Sequence, residues 1–176
     1  VQTLQDRGAS DVLFDMNSRY DVPGYGYQIA MGETALAESW QSRDYLSHNH
    51  CMLGHLYSWL FSGIGGISQE SGSTAYKRIV IDPQIVGDLR DARVSFRSPY
   101  GLIRSEWKDA PDEFVQTIEI PANATARICL PATDPAKVTE SGKPVSGRKD
   151  MAVESGTDGR IELHVGSGVY RIAVEK

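Results

Sequence analysis

Polar and apolar residues alternate along Thr125-Ala126-Arg127-Ile128-Cys129-Leu130, and again along Arg160-Ile161-Glu162-Leu163-His164-Val165. A period of two places neighbouring side chains on opposite faces of a β-strand, so each stretch predicts a strand with one buried face. Other short segments after Gly72 have similar patterns. The predicted strands are Arg78–Asp82, Arg93–Arg97, Leu102–Lys108, Phe114–Ile120, Thr125–Leu130, Met151–Val153, Ile161–Val165 and Val169–Val174. Short strands separated by turn residues favour an antiparallel β-sandwich.

The chain before this region follows a helical period instead. Apolar residues are spaced there for one helix face, or cover most of a helix, and predict three helices. These run over Ser10–Asn17, from about Thr34 to Trp40, and from His50 to about Gly63. We expect Ser47 or Asn49 to cap the third helix, and the glycines at 63, 65 and 66 to end it.

A polar connector near Ser68–Thr74 separates the two patterns. It predicts two domains, residues 1–70 and residues 75–176, the first helical and the second a β-sandwich. The fold class predicted from sequence is therefore α+β by segment.

The composition is that of an ordinary globular protein, with 40% apolar and 23% charged residues. The net charge is −5 and the 18 basic residues are scattered, which argues against nucleic acid. A neutral or cationic partner, or an uncharged one such as a sugar, fits better. The apolar run from Met52 to Ile67 is too short and too mixed to predict a membrane span. Cys51 and Cys129 lie in unlike contexts, and we expect two buried free thiols.

The segment from Pro23 to His50 carries the densest chemistry-bearing side chains. They are Tyr25, Tyr27, Glu33, Glu38, Trp40, Asp44, His48, Asn49 and His50. Aromatic rings stack on sugars, carboxylates and imidazoles bind hydroxyls, and a carboxylate also activates water, so the mixture is typical of a carbohydrate site. His48 and His50 lack the i, i+4 spacing of a helical metal pair, and no cofactor-binding motif is present; we expect no metal and no cofactor.

Three motifs in this segment resemble one family. Gly32–Trp40, GETALAESW, looks like G-A-T-T-x-W-E-x-W; Pro23–Tyr27, PGYGY, matches P-x-[WY]-G-Y; Ser47–Gly54, SHNHCMLG, matches S-x-N-H-x-x-x-G. These are motifs of the bacterial α-L-rhamnosidases, glycoside hydrolase family 78. The later half is similar to that family's C-terminal β-domain. Two departures are Glu33, where alanine is usual, and Ala37, where the family often has tryptophan.

The resemblance implies that residues 1–70 supply the last helices of an (α/α)6 catalytic barrel and that residues 75–176 form the β-sandwich. It implies an enzyme that removes terminal α-L-rhamnose with inversion. By motif position Glu38 is the general base, His50 contacts the sugar, and Trp40 and Tyr27 line the pocket. The general acid lies upstream in the family and is not in this chain.

The expected partners are therefore a rhamnose-containing carbohydrate and the N-terminal part of the same polypeptide. The opening VQTLQDRGASD lacks a signal-peptide pattern, and we expect the chain to be truncated there. The family favours a periplasmic or extracellular location, with the cytoplasm left open.

Several alternatives remain at this point. Inversion needs two carboxyls about 6.5–9.5 Å apart, and only Glu33 and Asp44 lie close to Glu38 in sequence; neither follows the family pattern. We interpret Glu33 as a residue favoured by the dipole at the N-terminus of the second helix. The main alternative function is a non-catalytic module that binds carbohydrate or stabilises the barrel. A close variant of the enzyme hypothesis is an inverting hydrolase of another (α/α)6 family.

Overall fold

A computed structural model describes residues 1–156 and 158–176. The chain divides into two compact units: Val1–Leu60 with Val86–Asp88, and Phe61–Ile85 with Leu89–Lys176. Here they are called the helical unit and the sheet unit. The domain limits predicted from sequence, 1–70 and 75–176, stay a prediction about independently folding domains.

The helical unit is built from short helices. They are α1 (Gln2–Asp6), α2 (Ser10–Asn17), α3 (Tyr25–Ala30) and α4 (Leu56–Trp59). The predicted helix Ser10–Asn17 is confirmed, since α2 covers these residues. Helices α1 and α3 were not predicted, because α1 is a single turn of mostly polar residues and α3 follows a Pro-Gly pair.

The predicted helix from Thr34 to Trp40 is wrong, because this segment forms turns and extended backbone. Helix α3 ends just before this segment in a Schellman motif. The Gly32 N–H donates a hydrogen bond to the Ile29 carbonyl and the Glu33 N–H donates one to the Gln28 carbonyl, each at 3.0 Å. Gly32 has φ +83°, which glycine adopts without strain. The interpretation of Glu33 as a helix N-terminal residue is therefore also wrong.

The third predicted helix exists as one helical run whose hydrogen-bonding type changes. A 3₁₀ turn over Cys51–His55 leads into α4, and a π turn over Leu60–Ile64 follows. His50 caps its start, since its side chain accepts a hydrogen bond from the Met52 N–H. The prediction that Ser47 or Asn49 would be the cap is wrong. The run passes through Gly63 and stops before Gly66, whose φ is +71°.

The core of the helical unit is small. Leu13, Leu53 and Trp59 are buried, and the Trp59 Nε1–H donates to the Ser10 hydroxyl at 2.8 Å. Many large apolar side chains of this unit are exposed instead: Val12, Met16, Tyr20, Ile29, Met31, Tyr45, Met52, Tyr57 and Leu60.

Among its described residues, the sheet unit contains eleven strands. They are β1 (Ile67–Gln69), β2 (Arg78–Ile81), β3 (Asp91–Ser98), β4 (Gly101–Asp109), β5 (Glu113–Ile120), β6 (Thr125–Cys129), β7 (Val138–Glu140), β8 (Lys143–Pro144), β9 (Ala152–Ser155), β10 (Ile161–Val165) and β11 (Gly168–Glu175). All eight predicted strands are present. The very short β1, β7 and β8 were not predicted, because two or three residues show no readable period.

The strands form two sheets, in the orders β1-β2-β6-β10-β9 and β3-β4-β5-β11-β7-β8. Every pair is antiparallel except β2 with β6, which is parallel. The alternation seen in the sequence is preserved: Ile161, Leu163 and Val165 are buried while Glu162 and His164 point to the other face. The predicted fold class, helices followed by antiparallel-rich sheets, is confirmed.

Side chains from one face of each sheet form the core of this unit. Ile79, Ile128 and Leu163 come from the first sheet, and Ile103, Ile118 and Ile172 come from the second; all six are fully buried. Trp107 is 3% exposed and its Nε1–H donates to the Ile64 carbonyl at 2.8 Å. It is a core residue, and its ring is not available to stack on a sugar.

Both cysteines are free. Cys129 is buried as predicted, but Cys51 is exposed, so the expectation of two buried thiols is wrong for Cys51. Within the described residues, no helix is long and apolar enough to cross a membrane.

Candidate functional site

The segment between Leu36 and His50 is a loop whose two ends are joined by backbone hydrogen bonds. The Glu38 N–H donates to the Ser47 carbonyl at 2.8 Å, and the His50 N–H donates to the Leu36 carbonyl at 2.7 Å. These bonds are the reason that Glu38 and His50, twelve positions apart in the sequence, lie on facing ends of one loop. The site is defined here as this loop together with α3.

The side chain of Glu38 also binds Ser47. One carboxylate oxygen, Oε2, accepts a hydrogen bond from the Ser47 N–H at 3.2 Å. The side chain is half-buried.

Gln28 holds the loop from the other side and was missed by sequence reasoning. It is 4% exposed and lies on α3. Its Oε1 accepts from the Ala37 N–H at 3.4 Å and its Nε2–H donates to the Ser39 carbonyl at 3.2 Å. These two groups flank Glu38 in the chain. A lone glutamine in a helix carries no signal in the sequence that would single it out.

His50 has its ring orientation set by the helix it caps. Nδ1 accepts a hydrogen bond from the Met52 N–H at 3.2 Å. In a neutral imidazole, accepting at Nδ1 places the proton on Nε2, so Nε2 is a hydrogen-bond donor. The ring is half-buried.

Trp40 lies against Tyr25, with ring centroids 4.9 Å apart and planes at 85°. The Tyr25 hydroxyl donates a hydrogen bond to the Leu53 carbonyl, and burial raises the pKa of the phenol. In an edge-to-face contact of this kind, each ring restricts the orientation of the other. Tyr25 therefore supports Trp40 in a half-buried position. Tyr27 is also half-buried, on α3 beside the buried Gln28.

Glu33 pairs with His48, whose Nδ1 lies 2.8 Å from Glu33 Oε2. The hydrogen bond to Glu33 raises the pKa of His48. Glu33 is thus hydrogen-bonded to His48, while Asp44 is exposed. Neither residue is held as a partner carboxyl beside Glu38 by any hydrogen bond found among the described residues.

Across residues 1–156 and 158–176, no group of three or more His, Cys, Asp or Glu side chains could hold a metal ion. The sheet unit carries an open groove of about 590 Å³, lined mostly by charged and polar residues of β3, β4 and β5. The aromatic residue of this groove is Trp107, which is buried.

Comparison with known proteins gives consistent matches along the chain. Residues 1–64 match the family model of the bacterial alpha-L-rhamnosidase 6 hairpin glycosidase domain, and residues 66–144 match that of the bacterial alpha-L-rhamnosidase C-terminal domain. An alpha-L-rhamnosidase of Streptomyces avermitilis is 30% identical over 99% of this chain, which covers 17% of that protein.

Solved structures agree with this result. The structure of Streptomyces avermitilis alpha-L-rhamnosidase complexed with L-rhamnose superposes on 97% of this chain with a TM-score of 0.84 and 29% identity, over 16% of that chain. The structure of native alpha-L-rhamnosidase from Aspergillus terreus superposes on 98% of this chain with a TM-score of 0.77 and 30% identity, over 18% of the Aspergillus chain. The chain therefore spans less than one fifth of the length of these relatives.

The six-hairpin match covers the candidate site, and the C-terminal match covers most of the sheet unit. Both matches name the same group of proteins, and the fold agrees with both. This chain belongs to the bacterial alpha-L-rhamnosidase family.

Proposed function

We propose that this chain is the C-terminal part of an inverting α-L-rhamnosidase, with Glu38 as the general base that activates water. The observation that carries the proposal is the geometry of the loop. Glu38 and His50 both lie where the two ends of the loop are joined by hydrogen bonds, with Trp40 between them in sequence. A proton acceptor, a hydrogen-bond donor and an aromatic face are the groups that a sugar-hydrolysing site needs.

The chemical step assigns one task to each side chain. The Glu38 carboxylate accepts a proton from water while the water oxygen bonds to the anomeric carbon from the face opposite the leaving group. The glycosidic carbon–oxygen bond breaks, and the leaving oxygen receives a proton from a general acid elsewhere in the polypeptide. His50 Nε2–H donates to a sugar hydroxyl, and the face of Trp40 contacts the apolar side of the ring. Tyr27 lines the same pocket.

The exposed apolar side chains of the helical unit support the need for more protein. Val12, Met16, Ile29 and Tyr57 are each 47–66% exposed. We propose that the preceding helices of a catalytic barrel cover them, consistent with relatives several times the length of this chain.

A non-catalytic carbohydrate-binding or barrel-stabilising module is the second candidate, and the structure gives it less support. The groove of the sheet unit offers charged side chains but no exposed aromatic face, because Trp107 is 3% exposed. Sugar-binding modules depend on such faces for stacking.

The test uses the full-length enzyme and an aryl α-L-rhamnoside. We expect Glu38→Gln to lower kcat by about 10²- to 10⁴-fold, the usual contribution of a general base. NMR of the first product should show inverted configuration at the anomeric carbon. Azide needs no deprotonation, so Glu38→Ala with azide should form the inverted glycosyl azide. The matched control is Glu113→Gln, an exposed glutamate of the sheet unit.

Full hydrolytic activity of the Glu38→Gln variant would show that Glu38 is not the general base. A first product of retained configuration would contradict inversion even if Glu38 proved essential. Unchanged turnover by Glu113→Gln is required, because it separates loss of one carboxylate from a general effect of lost charge.

A further inference from the structure

We infer that Gln28 is a positioning residue that fixes the backbone on both sides of Glu38 and so aims its carboxylate. This inference rests on the proposed role of Glu38 as the general base. Gln28 itself contacts neither Glu38's carboxylate nor a substrate in this assignment; it acts through the two peptide groups it binds.

The amide of Gln28 uses both of its functions on the loop. Its oxygen accepts from the N–H of Ala37, the residue before Glu38, and its nitrogen donates to the carbonyl of Ser39, the residue after. Among neutral side chains only an amide of this length offers an acceptor and a donor side by side in this way. The Ala37 N–H belongs to the Leu36–Ala37 peptide and the Ser39 carbonyl to the Ser39–Trp40 peptide, so the two bonds hold the three-residue segment centred on Glu38 at both ends. Holding both ends limits how far the Glu38 side chain can move.

The loop is therefore held from two directions. Ser47 binds the backbone N–H and the carboxylate of Glu38, while Gln28 binds its two neighbours from within the unit. Gln28 is 4% exposed, so water does not compete easily for these bonds. Since Ala37 is 2% exposed, the peptide that precedes Glu38 lies in the interior as well.

The support under Gln28 is itself rigid. Its backbone N–H donates to the Gly24 carbonyl and its carbonyl accepts from the Glu33 N–H, each at 3.0 Å. Helix α3 is anchored further at Gly26, where an added Cβ would lie 2.2 Å from the Arg19 carbonyl oxygen. A side chain on such a fixed helix transmits its position to the loop instead of following the loop's movement.

The experiment compares two substitutions in the full-length enzyme. Gln28→Met keeps the length and removes both hydrogen bonds. Gln28→Glu keeps both when the introduced carboxyl is protonated, since its carbonyl accepts from Ala37 and its O–H donates to Ser39. When this carboxyl ionises it loses the donor and adds a negative charge near Glu38.

We expect Gln28→Met to lower kcat by about 10- to 100-fold at every pH, with KM changed by less than about twofold, because displacement of a catalytic group by about 1 Å costs this much. The ratio of Gln28→Glu activity to unsubstituted activity should be near one at low pH and fall as pH rises. The same ratio for Gln28→Met should stay flat. This difference is expected because only Gln28→Glu introduces a group that ionises, and its ionisation breaks the bond to Ser39.

Gln116→Met is the matched control, since Gln116 is a fully buried glutamine of the sheet unit that donates to the Ser105 hydroxyl at 3.1 Å. It should lower thermal stability without changing kcat or the pH profile. Unchanged kcat in both Gln28 variants, or a loss in Gln28→Met no larger than in Gln116→Met, would overturn the inference. If Glu38→Gln is inactive in the same assay, the proposed function survives that outcome; if Glu38→Gln is active, the proposed function fails first.

Discussion

The Nδ1 atom of His48 lies 2.8 Å from Oε2 of Glu33, across the loop that carries Glu38. Glu33 is one of the two residues that depart from the family motif, and the structure gives it a partner. The side chain of Glu33 is 12% exposed and that of His48 is 39% exposed, so the pair lies at the edge of the unit.

This pair should make the loop sensitive to pH. The hydrogen bond to Glu33 raises the pKa of His48 above its ordinary value of about 6.5. A raised pKa in the folded state means that the pair stabilises the loop fully below that ordinary value. The stabilisation is lost as pH rises through the raised pKa. NMR titration of the His48 ring measures this directly.

Glu33→Gln should return the pKa of His48 towards its ordinary value, because the charged partner is removed. Glu70→Gln, which breaks the surface pair of Glu70 with Arg78, is the control and should leave the His48 titration unchanged. An identical His48 titration in Glu33→Gln would contradict the assigned cause.

The contact between Tyr25 and Trp40 gives a second prediction. Tyr25→Phe keeps the ring and loses the hydroxyl bond to the Leu53 carbonyl, which should cost about 1 kcal/mol of stability and leave KM unchanged. Tyr25→Ala removes the ring that fixes Trp40, and should raise KM for the aryl rhamnoside several-fold. Steady-state kinetics of the two variants check this. Equal KM values would show that Trp40 needs no support or does not contact substrate.

A third prediction concerns Gly66, which follows the helical run. It has φ +71°, and an added Cβ would lie 2.2 Å from the Pro83 backbone nitrogen. Gly66→Ala should lower the free energy of unfolding by about 3 kcal/mol or more, because backbone strain and a clash with backbone act together. Denaturant unfolding provides the measurement.

Gly142→Ala is the control for this effect. Gly142 has φ +76° but nothing within 4 Å of an added Cβ. It should lose only about 1–2 kcal/mol, the strain of the left-handed backbone alone. Equal losses at the two glycines would mean that the close approach to Pro83 is relaxed at little cost.

The two thiols should differ in reactivity. Burial raises the pKa of Cys129 to about 12, so almost none of it is thiolate at pH 8. Cys51 is exposed. Alkylation of the native protein at pH 8, followed by mass spectrometry, should modify Cys51 and spare Cys129, and denaturation should make both reactive. Rapid native labelling of Cys129 would show that the first sheet opens locally.

The strands were predictable because their signal is local. The buried Ile161, Leu163 and Val165 alternate with half-buried neighbours in the structure as they do in the sequence, so the period alone identifies β10. Helix α2 was predicted for the same reason. The parallel pairing of β2 with β6 had no such signal, because strand direction depends on partners distant in the chain.

The prediction of a helix from Thr34 to Trp40 was wrong because tertiary hydrogen bonds override the helical spacing of the apolar residues in this segment. Leu36 and Glu38 give their backbone groups to His50 and Ser47 instead of to residues one turn away. The roles assigned to Glu38, His50, Trp40 and Tyr27 came from motif position and stay predictions. The structure adds how they are held.

The sequence by itself determined the strand and turn pattern of the sheet unit, the family, and the candidate site residues, since these depend on residue type and spacing along the chain. Only the tertiary structure decided that Gln28 forms hydrogen bonds with both neighbours of Glu38. It also decided that His50 caps a helix through Nδ1 and that Glu33 binds His48. The contacts of Gln28 and Glu33 join segments distant in the chain, and the cap at His50 depends on where the helical run begins. Their geometry is set by which backbone groups are buried together, and buried polar groups must find partners wherever the fold places them.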